Sequence, residues 1–166
     1  MTTYFVTENY IKTRTQISQN VDVADIAPNV QVAAIDYVRP ILGLRFFDDL
    51  LTKYNAQTLS PDEEDLVEIM QKVIAFRAAD ITAPFISFSL KNKGIQSQSG
   101  EYSASESIEV VNYIRNELQR HAATYEDELK EFLKLNKANY PLYTDSTNKE
   151  IVPPTDPQKS IGIDII

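Results

Sequence analysis

From Ser103 to Lys137 the chain carries neither proline nor glycine. Apolar residues return there every three or four positions, as Ile108, Val111, Ile114, Leu118, Ala122, Tyr125, Leu129 and Phe132. That spacing puts them on one face of a single long helix, predicted over 104–137, with Ser103 and Glu106 forming a capping box at its start. The opposite face holds Arg115, Glu117, Arg120, Glu126, Asp127, Glu128, Lys130 and Glu131. A helix of this kind is stable only when other elements cover its stripe, so the fold must supply partners.

The partners are legible upstream. Ser60-Pro61-Asp62-Glu63 is a strong helix start, with Ser60 as cap, Pro61 at the first helical position and Glu63 three residues after the cap. Leu66, Ile69, Met70, Val73, Ile74 and Arg77 follow at helical spacing, then Ala78 and Ala79, and Pro84 should end or bend this helix near residue 82. Earlier still, Val30, Ala34, Tyr37, Ile41, Leu44, Phe47 and Leu51 form one stripe, begun by a candidate cap at Asn20 or Asp22. Pro40 and Gly43 interrupt it, which predicts two helices, about 22–38 and 41–55, meeting at an angle.

Between the two long helices the period changes. Ile86, Phe88 and Leu90 alternate, Lys91-Asn92-Lys93-Gly94 reads as a turn, and Ile95 to Ser99 reads as a polar return strand. The segment 85–99 is therefore expected to be a short β-hairpin or extended loop, with a helical reading of 85–90 as the alternative. The expected fold is mainly α: a bundle of about four helices with one short hairpin and extended arms. Residues 1–20 form a polar N-terminal arm that docks through Tyr4-Phe5-Val6 and Tyr10-Ile11, 21–140 the helical domain, and 141–166 a second arm. That arm holds Pro141, Pro153, Pro154 and Pro157, which exclude a helix, and then Ile161, Ile163 and Ile165 alternate with Gly162 and Asp164 before Ile166. This is a strand pattern, and a lone strand needs an edge to pair with, in its own fold or on a neighbour. Tyrosines in arms serve as interface anchors more often than as base-stacking platforms, so Tyr140, Tyr143 and Phe88 join the four isoleucines as candidate partner-binding residues.

Composition narrows the function classes. A formal charge of −8 opposes tight or sequence-specific DNA binding. The absence of cysteine excludes disulfides and thiolate metal sites. The first residues show no secretory signal pattern, and no run reaches the roughly 18 apolar residues of a membrane span, so a soluble protein made in a cytoplasm is expected. No phosphate-binding glycine loop and no HExxH occurs, and Gly numbers only 4. His121, the only histidine, is expected to pack or hydrogen-bond rather than catalyse. The acidic run Asp62-Glu63-Glu64-Asp65 could hold a hard cation through oxygen ligands. It is better explained as a first helical turn favoured by the helix dipole. Asp48-Asp49 and Asp22/Asp25 are read in the same way. No enzyme, cofactor or metal is predicted.

Four segments carry a family resemblance: Thr7 to Lys12, Tyr37 to Gly43, Pro84 to Phe88 running into Asn92-Lys93-Gly94, and Tyr113 to Glu117. Over residues 5–143 the chain resembles the small helical head–tail connector proteins of tailed bacteriophages. It is more similar still to an uncharacterised family in phages and prophages of the Bacteroidetes, crAss-like phages included. The resemblance implies a virion structural protein of the neck: an adaptor subunit in a ring, commonly twelve-fold, that joins portal to tail and lines the DNA channel. Portal and other neck or tail proteins would be its partners, along with copies of itself. An acidic chain suits a channel through which DNA slides. The alternatives are a stopper, tail-completion or other neck protein, a small regulatory or binding helical domain, and an enzyme built on His121 and Asp62–Asp65.

Overall fold

The structure is a computed structural model, and it describes residues 4–15, 17, 21, 23–91, 94–97 and 108–143. The capping box at Ser103–Glu106 and everything after Tyr143 lie outside the described residues.

The protein is mainly α-helical. Its centre is α5, Pro61–Ser87, and α6, Ile108–Leu135, packs antiparallel along it. The start of α5 forms as its sequence dictates. The Ser60 backbone N–H donates to Glu63 Oε2 at 2.9 Å and the Glu63 N–H donates to Ser60 Oγ at 3.4 Å, a closed capping box. Leu66, Val67, Ile69, Met70, Val73, Ile74, Ala75, Ala78 and Ala79 are all buried, so this helix is apolar over most of its circumference and serves as the core's axis. It continues past Pro84 to Ser87, five residues beyond the expected end at 82. A proline in the last turn removes one backbone donor, and packing along α6 and α2 outweighs that loss. The Thr82 hydroxyl donates to the Ala78 carbonyl at 2.6 Å and accepts from Asn29 Nδ2 at 3.0 Å, which ties α2 to this end of α5.

The first helical stretch departs from expectation in an instructive way. α2, Val23–Ala33, runs without a break into a π-helical turn, Ala34–Val38, and then into α3, Arg39–Leu42. The Arg39 N–H reaches back five residues to the Ala34 carbonyl, a wider turn than an α-helix makes. Pro40 sits immediately after this widened turn, at the start of α3, so the chain passes it without breaking. The break comes at Gly43, with φ 85° and ψ 151°, a region open essentially to glycine alone, before α4, Leu44–Ala56. Because the π turn holds an extra residue, the buried stripe moves by one position. Val38 and Leu42 are buried where Tyr37 and Ile41 were expected; beyond the break at Gly43 the expected Phe47 is buried, flanked by Phe46 and Leu50.

The N-terminal segment is more than a docking arm. Thr7 caps α1, Glu8–Arg14, its Oγ1 accepting from the Tyr10 N–H at 3.3 Å, and Phe5, Val6 and Ile11 belong to the main core. Phe5 adopts a left-handed backbone, φ 61°. On α6 the buried residues are Val111, Leu118, Ala122, Leu129 and Leu133, while Ile108 and Ile114 of the expected stripe face solvent. Two four-residue strands, β1 Phe88–Lys91 and β2 Gly94–Ser97, pair antiparallel with Phe88 opposite Ser97 and Lys91 opposite Gly94. They start later than the expected position 85 because α5 takes residues 85–87.

Candidate functional site

Two concavities stand out on the described surface. The larger, about 580 Å³, is an open depression between Thr7, the end of α4 and the start of α5. Gln57 ends α4 there in a left-handed conformation, and the Gln71 amide is occupied, donating to the Phe5 carbonyl at 2.7 Å. The smaller, about 280 Å³, is a groove between the end of α1, at Arg14 and Thr15, and the N-terminal half of α6. Phe76, Tyr113, Ile114, Leu118 and His121 line it together with the polar Arg14, Thr15 and Glu117. His121 packs its ring on Phe76, centroids 5.4 Å apart, so it stands in an aromatic cluster that also includes Tyr125. Arg120 donates to Glu117 at 2.7 Å and holds that carboxyl below its usual range.

Beside the groove the α5–α6 contact is polar. Asp80 is buried, and its carboxylate accepts from Arg115 Nε at 2.8 Å and from Gln119 Nε2 at 3.0 Å. One turn before Asp80, Arg77 Nε donates to Glu126 at 2.6 Å while the guanidinium lies over the Tyr37 ring, 4.2 Å from its centre. Neither pair was foreseen as a unit. The signal was available: Arg77 falls within the apolar stripe of α5, and Asp80 directly follows Ala78-Ala79. A charge at such a position must find a partner on the facing element.

The acidic run at the start of α5 is a structural device. Glu63 and Asp49 both hold Lys53, each at 2.7 Å. Burial alone would raise Glu63, but the Lys53 and Ser60 hydrogen bonds outweigh it and hold the carboxyl below its usual range. Among the described residues no group of three or more His, Cys, Asp or Glu side chains could hold a metal ion. No helix of the described residues is long and apolar enough to cross a membrane.

Of the candidate partner-binding residues, Ile161, Ile163, Ile165 and Ile166 lie outside the described residues. Phe88 opens β1. Tyr143 is half-buried against Phe46, centroids 6.4 Å apart. Tyr140 is a correction: it is buried in the fold's own core, tilted against Phe46 and Phe132, and its hydroxyl donates to the Asp62 carbonyl at 2.6 Å. An aromatic ring beside a helix end is drawn in when its hydroxyl finds a backbone acceptor there.

Burial, and after it the carboxylates of Asp62, Asp65 and Glu63, push the Tyr140 phenol up from 10.0 to about 12. The folded state thus favours the neutral phenol. Its contribution is complete below pH 10 and is lost as the pH rises through 10 to about 12. Urea midpoints measured across that window should fall, with up to about 2–3 kcal/mol attributable to this residue. Tyr140→Phe should flatten the curve, and curves of equal slope would show that Tyr140 is not the group responsible.

No curated protein and no solved structure matches this chain. A family model does match, over residues 38–151, from the end of the π-helical turn through α6 and beyond. On that match the chain belongs to DUF6712, a family of unknown function.

Proposed function

We propose that the chain is a non-enzymatic virion structural protein, a head–tail connector subunit that forms a ring between portal and tail and lines the DNA channel. In this reading the helices form the ring body, and the β1–β2 pair and the C-terminal arm reach the neighbours. Portal, other neck or tail proteins and sister subunits are the partners, and the virion neck is the location.

The observation that carries the reading is where the molecule leaves apolar surface. Its core is closed around α5, yet Phe85 near the end of α5 and Ile108, Tyr113 and Ile114 in the first turns of α6 are exposed. Apolar side chains left exposed near one end of a closed bundle are surface that a neighbouring subunit would cover. The charge of −8 supports a wall past which DNA moves without sticking, because phosphates are repelled. The resemblance to connector proteins agrees with both features. A stopper or tail-completion protein is the neighbouring reading within the same class.

Truncation after Lys159 should leave a folded monomer, with an unchanged circular-dichroism spectrum and urea midpoint. Its assembly with portal and neck partners, read by co-sedimentation, should drop at least tenfold. Full assembly by the truncated chain would remove the assigned role of the C-terminal arm.

A further inference from the structure

Among the described residues, α5 is the one element that α6 packs along at length. The reverse does not hold, because α1, α2 and the π-helical turn also pack on α5. The central buried cluster draws on α6 only for Leu129 and Leu133, and Val111, Leu118 and Ala122 are buried outside it. The molecule is thus a body with one long helix laid on it. The two faces carry complementary charge in a fixed order. Lys72, Arg77 and Asp80 follow one another along α5, and they meet Glu128, Glu126 and Arg115 of α6. An unrelated helix on this face leaves the Asp80 carboxylate, 4% exposed, without a cation. The α6 of a second copy offers the same residues in the same order.

We propose that the α6 face of α5 is an interface for a second copy of this chain, two subunits exchanging their α6 helices reciprocally. Exchange reuses every contact of the closed subunit, so what decides it is the cost of opening the connection between the two helices. The described structure in that connection is the β1–β2 pair, and it has no third strand among the described residues. A two-stranded hairpin by itself is marginally stable at best, so little opposes its opening. Drawn straight, the run Phe88–Ser97 reaches roughly 33–36 Å. Packed helix axes stand only about 8–10 Å apart, so the opened hairpin carries α6 well clear of its own α5. A chain's own α6 is held near its α5 at an effective concentration of roughly millimolar. The closed subunit therefore prevails in dilute solution and the exchanged pair where copies are crowded together. The exchange does not rest on the connector reading; in a ring it would be the contact between sister subunits.

The chain has no cysteine, which makes the test direct. Full-length Lys72→Cys and Glu128→Cys chains are unfolded in urea, mixed, refolded together and treated with a short bis-maleimide. After refolding near millimolar concentration, unlike chains should cross-link at least tenfold more than a Lys72→Cys, Glu131→Cys mixture. Glu131 is exposed and lies about 200° round α6 from the buried Leu129. Light scattering should show a dimer at that concentration and a monomer at low micromolar concentration. Lys93→Gly gives the hairpin an Asn-Gly pair, which favours a closed two-residue loop, and should raise the concentration needed several-fold. A monomer at every concentration overturns the proposal. So does a dimer whose unlike chains cross-link no more than the control, since it forms through other surfaces. A dimer insensitive to Lys93→Gly overturns it too, because exchange requires the hairpin to open. Portal is absent from all these measurements, so their failure leaves the connector reading standing.

Discussion

Replacing Arg115 with alanine is expected to destabilise the subunit by about 2–4 kcal/mol, well above the usual cost of losing a half-exposed arginine. The reason lies on the other side of the contact. The Asp80 side chain is only 4% exposed, and among the described residues Arg115 is its one cationic partner. Gln119 would remain, but one neutral amide does not offset a buried carboxylate. Arg115 itself is 36% exposed, which lets some water reach the carboxylate in the variant and keeps the figure below the upper limit for a buried pair. Removing both charges, as Asp80→Leu with Arg115→Met, should recover most of the loss, because the desolvated carboxylate goes with its partner. Urea midpoints at unchanged slope are the measurement. A double variant as unstable as Arg115→Ala would mean that the pair is net stabilising and that the buried charge is not the dominant cost.

The second large effect is expected from the other end of the chain. Phe5→Ala should cost about 3–5 kcal/mol, the range for truncating a fully buried aromatic. The ring meets Phe47 edge-on at 5.6 Å and Tyr54 at 5.2 Å, and its own carbonyl is held by Gln71. Phe5 also carries a left-handed backbone, which costs a non-glycine residue about 1–2 kcal/mol. That strain persists only because the packing of its ring exceeds it. Once the ring is gone, residues 4–7 lose the reason to hold their conformation, and α1 loses the cap geometry set by Thr7. Chemical denaturation gives the magnitude, and hydrogen exchange gives the location: α1 should lose protection before α5 does. A cost below about 1 kcal/mol would place this segment outside the cooperative core.

What could be read from the chain beforehand divides along physical lines. The capping box at Ser60 and the stripes of α5 and α6 are local patterns, and each residue announces its face. Three features depend on what lies across the fold. Tyr4-Phe5-Val6 is a short apolar island in a polar stretch, and only the cavity between Phe47 and Tyr54 makes it core. Pro40 announces a disturbance but does not say that a widened turn will absorb it, so Tyr37 and Ile41 are expected where Val38 and Leu42 are buried, while Phe47 is buried as expected. Pro84 is tolerated because its helix is packed on two sides. The groove was invisible for a related reason: Phe76, Leu118 and His121 come together only when α5 and α6 take this register. The exposed Ile108 and Ile114 fit the helical period and still lie outside the core, since periodicity reports a direction and not what covers it.

The Arg77 contacts have a mechanical consequence. Its guanidinium is pinned to Glu126 on α6 and stacked on Tyr37 in the widened turn, so three elements share one side chain. Sliding α6 along α5 by a helical pitch, about 5.4 Å, would carry Glu126 out of reach of that guanidinium and separate Arg115 from Asp80. The two helices are therefore keyed against shear, and an axial load on α6 is handed through Arg77 to the turn at Tyr37 before the helices can slip past each other.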